Sequence, residues 1–382
     1  PLNYRCCIID IIFSAINYFS EFPTHCAYSV PRICRFFLCQ EWVRNKNFKL
    51  LIFNYSIINT NIDMKKKIAL IFGITGQDGA YLADFLIKKN YNVLGVTRSN
   101  QKNNLFRLDL LNIREKINIY KVAKININFL QKIFQKNNTI NEIYFLSGES
   151  SPKKSFDIPH ETFDSNVINL LSILEFLRKQ KKITKLFYAS SSEIFKKNKR
   201  NTFNEKSELG PSTPYGISKT AGTLLIKNYR EEYKLFLCSG ILFNHESPLR
   251  SKNFVFKKII NKLREIKNKG GKLYLGNVNI KRDIGWAPDY IKAMWKMLQI
   301  KKPTDIVIGS GKMFSINDFL KIIVKKLNIN KKNIILNNKD LIRKSEIRAY
   351  KADPLLAKKI LGWKTNSSVE EIADKILNNR LF

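Results

Sequence analysis

The turn GITGQDG at residues 73–79 could bind the pyrophosphate of a dinucleotide. It follows an apolar run at 68–72 and precedes an apolar helical pattern at 80–89. Glycine allows a tight turn at Gly73, a close approach of the backbone to phosphate at Gly76 and close helix packing at Gly79, and the helix directs amide donors at the phosphates. The predicted cofactor-binding residues of this turn are Gly73, Thr75, Gly76, Gln77, Asp78 and Gly79.

A tyrosine and a lysine at helical spacing could serve a hydride transfer. Tyr215 and Lys219 are four residues apart and so share one face of a helix. A tyrosine with a pKa of about 10 cannot act as a base near neutrality, but a neighbouring ammonium and a positive nicotinamide would lower that pKa. Lys219 would also hold the nicotinamide ribose. The preceding segment Ser190–Glu193 adds hydroxyls and a carboxylate, which indicates that the hydride is returned to the substrate.

The end of the second predicted strand selects the cofactor. An NAD site usually has Asp or Glu there to bind the ribose 2′-hydroxyl, whereas arginine favours the 2′-phosphate of NADP. This chain has Thr97-Arg98-Ser99 at that point. The sequence therefore predicts NADP, with Arg98 as a cofactor-binding residue, and the alternative is an ordinary surface arginine in a very basic protein.

Alternating strand and helix patterns predict the fold that would position these residues. Buried strands separated by helices indicate a parallel sheet covered on both faces, with ligands beyond the carboxyl ends of the strands. We expect an α/β fold, a Rossmann-like doubly wound parallel sheet with a smaller, interleaved C-terminal substrate-binding lobe. Predicted strands are 68–72, 92–97, 142–146, 186–189 and 236–243, and predicted helices are 161–178, 215–233, 254–268, 314–327 (capped by Ser315) and 353–361 (ended by Gly362). The pattern at 100–140 gives no assignment.

Residues 1–63 differ from the remainder of the chain. Five of the six cysteines lie there, and the first methionine is Met64, which is followed by three lysines and the first strand. We expect 1–63 to be an extension outside the native fold, with Met64 as the start; a targeting leader and a small disulfide-bearing extension are the alternatives. We assign the NADP-binding domain mainly to 64–243 and the substrate lobe, with returning segments, mainly to 244–382. The single cysteine beyond the extension, Cys238, fits a reducing cytoplasm.

The net charge of +36 raises the question of a nucleic-acid partner. Lysine is accompanied by abundant asparagine and isoleucine, the result of adenine- and thymine-rich codons, and RNA-binding aromatic motifs and zinc spacings are absent from the sequence. A basic surface that attracts phosphate-bearing small molecules is the preferred interpretation, and neither nucleic acid nor a metal is expected. No apolar run approaches the roughly 18 residues of a membrane span, so no membrane association is expected.

These motifs, together with GILFNHESP at 240–248, resemble the GDP-mannose 4,6-dehydratase family of extended short-chain dehydrogenases. Shorter matches are LGN at 275–277, KRD at 281–283 with Gly285, DYIKAMW at 289–295 and LGW at 361–363. The resemblance runs from about residue 66 to about residue 363. It implies that Tyr215 takes the C4 hydroxyl proton while hydride passes to NADP⁺, and that Glu193 takes the C5 proton. Glu193 and Ser191 would then assist the loss of the C6 hydroxyl as water before hydride returns to C6.

The resemblance also implies the remaining site residues and partners. The catalytic set is Ser191, Glu193, Tyr215 and Lys219; Asn244, Arg282, Arg343 and Glu346 would contact the substrate, and His245 and Arg250 would lie near the nicotinamide. For His245 the alternative is a structural, hydrogen-bonded role. The implied substrate is GDP-mannose, the implied product is GDP-4-keto-6-deoxymannose, and the implied assembly is a cytoplasmic homodimer or homotetramer.

The chain departs from the family at several positions. SGESS at 147–151 replaces the usual Ala-Ala-Gln-Ser-His, which adds the carboxylate of Glu149 and removes a histidine. Ser191 stands where threonine is usual, Val122 where an acidic residue holds the adenine, and Trp286 where histidine is frequent. Two alternatives therefore stay open: an NAD(P)-dependent nucleotide-sugar epimerase or decarboxylase of the same fold, and a non-catalytic RNA- or ligand-binding relative. Glu193 distinguishes the dehydratase from a plain epimerase, which needs no carboxylate beside the serine.

Overall fold

Strands and helices alternate through most of the chain. The computed structural model describes residues 66–99, 101–137, 139–336, 349–365 and 367–382. The strands are β1 Ile68–Phe72, β2 Asn92–Thr97, β3 Ile117–Lys121, β4 Glu142–Phe145, β5 Lys185–Ser191, β6 Thr202–Phe203, β7 Leu237–Leu242, β8 Asn244–Glu246, β9 Leu273–Tyr274, β10 Lys281–Trp286, β11 Ile306–Ile308, β12 Met313–Ser315, β13 Ile334–Ile335 and β14 Ala349–Ala352.

The helices cover both faces of the strands. In chain order they are α1 Gln77–Lys88, α2 Lys102–Leu110, α3 Ile127–Lys136, α4 Lys154–Asp157, α5 Pro159–Phe163, α6 Asn169–Leu177, α7 Pro214–Tyr233, α8 Val255–Lys269, α9 Ala287–Met297, α10 Ile316–Leu327, α11 Leu355–Leu361 and α12 Val369–Leu377. A π-helical turn, Asp164–Ile168, connects α5 to α6, and a 3₁₀ turn, Ser192–Ile194, follows β5. None of the helices in the described part of the chain is long and apolar enough to cross a membrane.

Seven parallel strands form the central sheet in the order β11-β7-β5-β4-β1-β2-β3. The chain builds outward from β1 to β3 and then returns to place β4 on the other side of β1. The connections leave β1 and β4 in opposite directions, which opens a crevice at their carboxyl ends where folds of this kind bind ligands. The predicted doubly wound parallel sheet is confirmed.

The side chains of β1 alternate between two apolar cores. Ala69 and Ile71 pack into a core shared with α1 and α9, whereas Leu70 and Phe72 pack into a core shared with α3 and α6. All four side chains are fully buried. Because neither face of the sheet meets solvent, the strand reads as a continuous apolar run rather than as an alternating one.

A smaller sheet, β12-β10-β14-β6 with β8 paired to β10, forms the second lobe. Helices α8, α10 and α12 share its apolar core. Strand β6 precedes residue 244 but joins the smaller sheet, and β11 follows it but returns to the large sheet. The two lobes are therefore interleaved within one compact unit, Lys66–Phe382, and the boundary at 243/244 stays a prediction. The predicted extension at 1–63 lies outside the described residues.

The structure also corrects several predicted elements. The predicted helix at 161–178 consists of α5, the π turn and α6. The helix predicted from residue 314 begins at Ile316, because Met313–Ser315 pairs with β10; Ser315 caps it as predicted, accepting from the amide of Asp318. Gly362 ends α11 in the left-handed conformation with φ of +55°. The unassigned stretch at 100–140 contains α2, β3 and α3.

Candidate active site

The glycine turn connects β1 to α1. Gly73 has a φ of +88°, and a Cβ on it would lie 2.8 Å from the amide nitrogen of Ser147, so the position requires glycine. Helix α1 begins at Gln77 with Gly76 as its N-cap, three residues before the predicted start. A Cβ on Gly79 would collide with the carbonyl group of Gly73. The turn and the helix can therefore pack closely only with glycine at both positions.

A cleft of about 350 Å³ opens at the carboxyl ends of β1, β2 and β4. Of the predicted cofactor-binding residues, Gly73, Thr75, Gly76 and Arg98 line it. Other lining residues are Phe72, Val96, Thr97, Ser99, Asn104, Val122, Ala123, Ile125, Leu146, Ser147, Gly148, Ser165 and Asn169. Among the described residues no carboxylate lines the cleft, so the arginine is present where an NAD site would have an acid.

The lining of the cleft fits a dinucleotide. Gly76 is exposed at the N-terminus of α1, where the helix dipole favours an anion. The Oγ atom of Ser147 is buried, and none of the described residues hydrogen-bonds to it. A buried hydroxyl of this kind is costly unless it gains a partner, and the hydroxyl and amide groups of a nucleotide are suitable partners.

Tyr215 and Lys219 lie on the first turns of α7, and both are buried. The Nζ atom of Lys219 donates to the carbonyl oxygen of Ala189 in β5 at 2.8 Å. The same atom lies 5.1 Å from the centroid of the Tyr188 ring and 5.9 Å from that of the Tyr215 ring. The strand beneath α7 thus fixes the ammonium beside the phenol that the sequence predicts as its partner.

Burial shifts the pKa values of both groups. It raises the pKa of Tyr215 to about 12; the hydrogen bond with Ser191 opposes this rise, and the carboxylate of Glu193 adds to it. Burial lowers the pKa of Lys219 to about 8, against an opposing effect of Asp78. In the chain alone the phenol is therefore protonated near neutrality, because burial disfavours the phenolate. The expected lowering of this pKa also relied on a positive nicotinamide and stays a prediction.

Ser191 and Glu193 lie at the carboxyl end of β5. The Oγ atom of Ser191 accepts from the amide of Glu193 at 3.2 Å, so the two residues share one turn. Ser191 is buried and Glu193 is half-buried. The charge of Glu193 raises the pKa values of both Tyr215, on α7, and Tyr350, on β14 of the smaller sheet.

His245, in β8, has both ring nitrogens engaged. Nδ1 is 2.8 Å from the carbonyl oxygen of Phe243, and Nε2 is 3.0 Å from each carboxylate oxygen of Asp78. The ring also stacks on Tyr290 at 4.5 Å. Burial by itself would raise the pKa of Asp78, but the charge and hydrogen bond of His245 lower it to about 2. These contacts describe a structural histidine, the alternative named above, and contact with a nicotinamide stays a prediction.

Gln77 and Arg250 lie on either side of the same segment. Gln77 donates to the carbonyl oxygen of His245 at 3.3 Å and accepts from Ser247 at 2.8 Å, so its side chain is directed at this segment rather than into the cleft. The Nε atom of Arg250 is 3.7 Å from a carboxylate oxygen of Glu246. That Nε and the other oxygen of Glu246 are buried without a hydrogen-bond partner among the described residues. Arg250 therefore retains a donor for a polar group.

The predicted substrate residues lie on the smaller sheet where the structure describes them. Asn244 is exposed on β8, which pairs with β10. Arg282 is on β10 opposite Tyr350, and its charge lowers the pKa of that phenol. Arg343 and Glu346 lie outside the described residues. Contact of all four with substrate stays a prediction.

Asp283, the neighbour of Arg282, joins the two sheets. Its buried carboxylate accepts from the amide and hydroxyl of Ser310, from the amide of Gly311 and from the amide of Ala352, at 2.6–3.0 Å. Ser310 and Gly311 follow β11 of the large sheet, whereas Ala352 ends β14 of the smaller one. The carboxylate therefore fixes the strand that carries Arg282 relative to the large sheet.

Three groups beside the site were not predicted. Asn166 of the π turn is fully buried and donates to the hydroxyl of Ser218 at 2.9 Å. Arg107 of α2 donates to the backbone carbonyl of Leu249 at 2.7 Å and to that of Thr75, within the glycine turn, at 3.0 Å. Ser155 accepts from the backbone amide of Tyr215 at 3.0 Å. An asparagine within an apolar helical pattern was a signal for Asn166; no comparable pattern marks the other two.

Comparisons with known proteins are consistent with this geometry. The model of the family "GDP-mannose 4,6 dehydratase" matches residues 70–376. The chain is 35% identical over 334 residues to GDP-mannose 4,6 dehydratase 1 of Arabidopsis thaliana, covering 85% of this chain and 92% of that protein. It is 33% identical over 361 residues to GDP-mannose 4,6-dehydratase of Vibrio cholerae serotype O1, covering 83% and 94%.

Solved structures share the fold at lower sequence identity. The structure of UDP-glucuronic acid 4-epimerase from Bacillus cereus, in complex with UDP-glucuronic acid and NAD, matches with a TM-score of 0.71 and 19% identity, covering 82% of this chain and 98% of that one. The structure of dTDP-glucose 4,6-dehydratase from Bacillus anthracis, in complex with NAD, also matches with a TM-score of 0.71 and 19% identity, covering 82% and 96%. At this identity the likeness shows the fold alone.

Proposed function

This chain belongs to the GDP-mannose 4,6-dehydratase family, a family of hydro-lyases, and on that premise we propose that it converts GDP-mannose to GDP-4-keto-6-deoxymannose. The observation that carries the proposal is the grouping of Ser191, Glu193, Tyr215 and Lys219 where β5 meets α7. An epimerase would need the tyrosine and lysine, but it would have no chemical need for the carboxylate of Glu193.

We propose NADP as the cofactor of this site. Gly73, Thr75 and Gly76 would approach the pyrophosphate, and Arg98 would bind the 2′-phosphate through charge-assisted hydrogen bonds. Arg250, which retains a buried donor, would hold a polar group near the nicotinamide. When bound, the cofactor would accept hydride from C4 of the sugar and return it to C6, so none is consumed.

Tyr215 and Lys219 would manage the proton of the C4 hydroxyl. With its pKa raised to about 12, the phenol needs a further positive charge nearby to ionise, because only the phenolate can accept that proton near neutrality. The carbonyl of Ala189 orients one donor of the Lys219 ammonium, which leaves the other two for the phenol and a ribose hydroxyl. Lys219 would therefore stabilise the phenolate by position as well as by charge.

Glu193 and Ser191 would carry out the elimination. A ketone at C4 acidifies the proton on C5, and the half-buried carboxylate of Glu193 would remove it. The same group, now protonated, would deliver the proton to the departing C6 hydroxyl, with Ser191 orienting it. The charge of Glu193 already acts on Tyr215, which supports a position within reach of the same sugar.

The decisive experiment incubates the full chain with GDP-mannose and NADP⁺ and measures the mass of the sugar nucleotide. The expected product has lost one water without accumulation of NADPH, and in D₂O it carries deuterium at C5. Glu193→Gln should abolish water loss, whereas Glu265→Gln, an exposed glutamate on α8, should not. An unchanged mass with an altered configuration would indicate an epimerase instead. Water loss from a UDP- or dTDP-hexose alone would overturn the substrate and keep the mechanism.

Cofactor choice has its own test. Titration of the wild-type chain should show tighter binding of NADP⁺ than of NAD⁺, and Arg98→Ala should weaken NADP⁺ binding by about tenfold while leaving NAD⁺ unchanged. The expected loss of NADP⁺ affinity is modest because Arg98 is exposed and its charge is screened by solvent. An equal loss of affinity for both cofactors would show that Arg98 does not bind the 2′-phosphate.

We also propose a homodimer or homotetramer. Ile168, Ile217 and Leu224 are exposed apolar residues on neighbouring helical segments, the π turn and α7, and burying them against a second copy would be favourable. Sedimentation analysis of the full chain tests this, and Leu224→Glu should shift it toward the monomer. A wild-type chain that sediments as a monomer at micromolar concentration would contradict it.

A further inference from the structure

We infer that Glu149 and Ser155 are positioning residues for Tyr215, and that the carboxylate this chain adds at position 149 is not a third acid–base group. This inference rests on the proposed role of Tyr215. Both residues belong to segment 148–155, which leaves β4 at the rim of the cleft and ends in the short helix α4. Neither residue needs to contact substrate to have this effect.

The carboxylate of Glu149 is fully engaged by its own segment. One oxygen accepts from the amides of Ser150 and Ser151, both at 2.9 Å, and the other accepts from Nζ of Lys154 at 2.9 Å. Burial raises the pKa of Glu149, but Lys154 and the two amides outweigh it and lower the pKa below its ordinary value. A carboxylate fixed in its ionised form by three donors is a poor proton carrier. Its three contacts also hold the turn at 150–154 in one conformation.

That turn presents Ser155 to the catalytic helix. Ser155 is fully buried, donates to the carbonyl of Pro152 at 2.7 Å and accepts from the backbone amide of Tyr215 at 3.0 Å. Tyr215 is the second residue of α7, so its amide has no acceptor within the helix. The hydroxyl of Ser155 therefore fills a position that no atom of the helix itself can fill.

A second connection reaches the backbone carbonyl of Tyr215. The Nδ2 atom of Asn166 donates to the carbonyl of Glu149 at 3.3 Å and to the hydroxyl of Ser218 at 2.9 Å. Ser218 in turn donates to the carbonyl of Tyr215 at 2.7 Å. The amide of Tyr215 is therefore hydrogen-bonded to segment 148–155 directly, and its carbonyl is connected to the same segment through Ser218 and Asn166.

Such double anchoring matters because proton transfer from a sugar hydroxyl depends on sub-ångström placement of the phenol. Positioning and acid–base chemistry predict different outcomes for two substitutions of Glu149. Glu149→Gln keeps an oxygen for the two amides and loses only the ion pair with Lys154. Glu149→Ala removes all three contacts.

The test compares Ser155→Ala, Glu149→Gln and Glu149→Ala in the full chain, with Glu265→Gln as control because Lys262–Glu265 is an ion pair of the same 2.9 Å length on α8. Turnover is measured with GDP-mannose and with its C4-deuterated form, and amide exchange is followed for the peptide that contains Tyr215. We expect Ser155→Ala and Glu149→Ala to lower kcat by about 3- to 30-fold with KM nearly unchanged. Both should increase the C4 isotope effect and speed exchange at the Tyr215 amide; Glu149→Gln and the control should stay within about threefold of wild type.

The isotope effect separates positioning from general stability, since it does not depend on how much enzyme is folded. A Ser155→Ala protein with a lower melting temperature but an unchanged isotope effect would overturn the inference. So would a Glu149→Gln protein as inactive as Glu149→Ala with normal amide exchange, because the carboxylate would then act chemically. If the wild-type chain does not turn over GDP-mannose, the proposed function fails, yet unchanged exchange of the Tyr215 amide in Ser155→Ala would still refute the anchoring on its own.

Discussion

Replacing Lys219 with methionine should stabilise this protein at neutral pH while removing its activity. Lys219 is 5% exposed, and burial lowers its pKa to about 8 from an unfolded value of 10.5. Keeping the ammonium charged in the folded state at neutral pH therefore costs roughly 3 kcal/mol relative to the unfolded chain. Methionine has a similar length and no charge. It also leaves the carbonyl of Ala189 without its donor, a loss of about 1 kcal/mol.

The size of the effect should change with pH. A depressed lysine pKa destabilises the folded protein fully below that pKa, and the penalty fades as pH rises from about 8 toward 10.5. We therefore expect Lys219→Met to raise the free energy of unfolding by about 2 kcal/mol near neutrality and to match the wild type near pH ~10.

Urea unfolding of the cofactor-free chain at both pH values measures this difference. Lys181→Met, at an exposed lysine, is the control and should change little at either pH. A Lys219→Met protein that is less stable near neutrality, or whose difference from wild type is independent of pH, would refute the reasoning. Turnover of GDP-mannose should be lost in either case.

Three further outcomes follow from contacts around the site. Asp78→Asn should lower the free energy of unfolding by about 2 kcal/mol near neutrality, because the folded pKa is about 2 against 3.8; the difference should shrink as pH falls through that range in acid titrations. Gly222→Ala should lower the melting temperature and kcat together, since a Cβ there would collide with the Tyr188 ring beneath Lys219. Asp283→Asn should raise KM for the nucleotide sugar more than KM for the cofactor, because an amide nitrogen would face backbone donors and loosen the smaller sheet; equal changes in both would contradict this.

The sequence predicted the large sheet well because its strands are buried on both faces. Runs such as 68–72 contain only apolar residues, and the glycine turn marks where the first run must end. The sequence pattern did not predict the smaller sheet. Strands of two to four residues, such as β6 and β14, are too short to show a recognisable alternation of apolar and polar residues. Their pairing depends on contacts across about 150 residues of chain, which local patterns do not encode.

The site was predicted unevenly for similar reasons. The placement of Tyr215 and Lys219 on one helix was predicted because their four-residue spacing is helical. The rise that burial causes in the pKa of Tyr215 in the chain alone was not predicted, because spacing does not reveal burial. Ser155 was missed because a serine that accepts from a distant amide looks like any other serine in a loop.

The π turn at Asp164–Ile168 adds a residue to what would otherwise be one regular helix. An extra residue rotates everything after it by about a quarter of a turn relative to everything before it. Asn166 within the turn can therefore face the catalytic helix while Asn169, just after it, faces the cleft and accepts from the amide of Ile125 at 3.1 Å. Deleting one residue here would restore an ordinary helix and put the two asparagines out of phase. The extra residue thus changes the angle between the two parts of the helix, so that one helical segment contacts both the cleft and the helix that carries Tyr215.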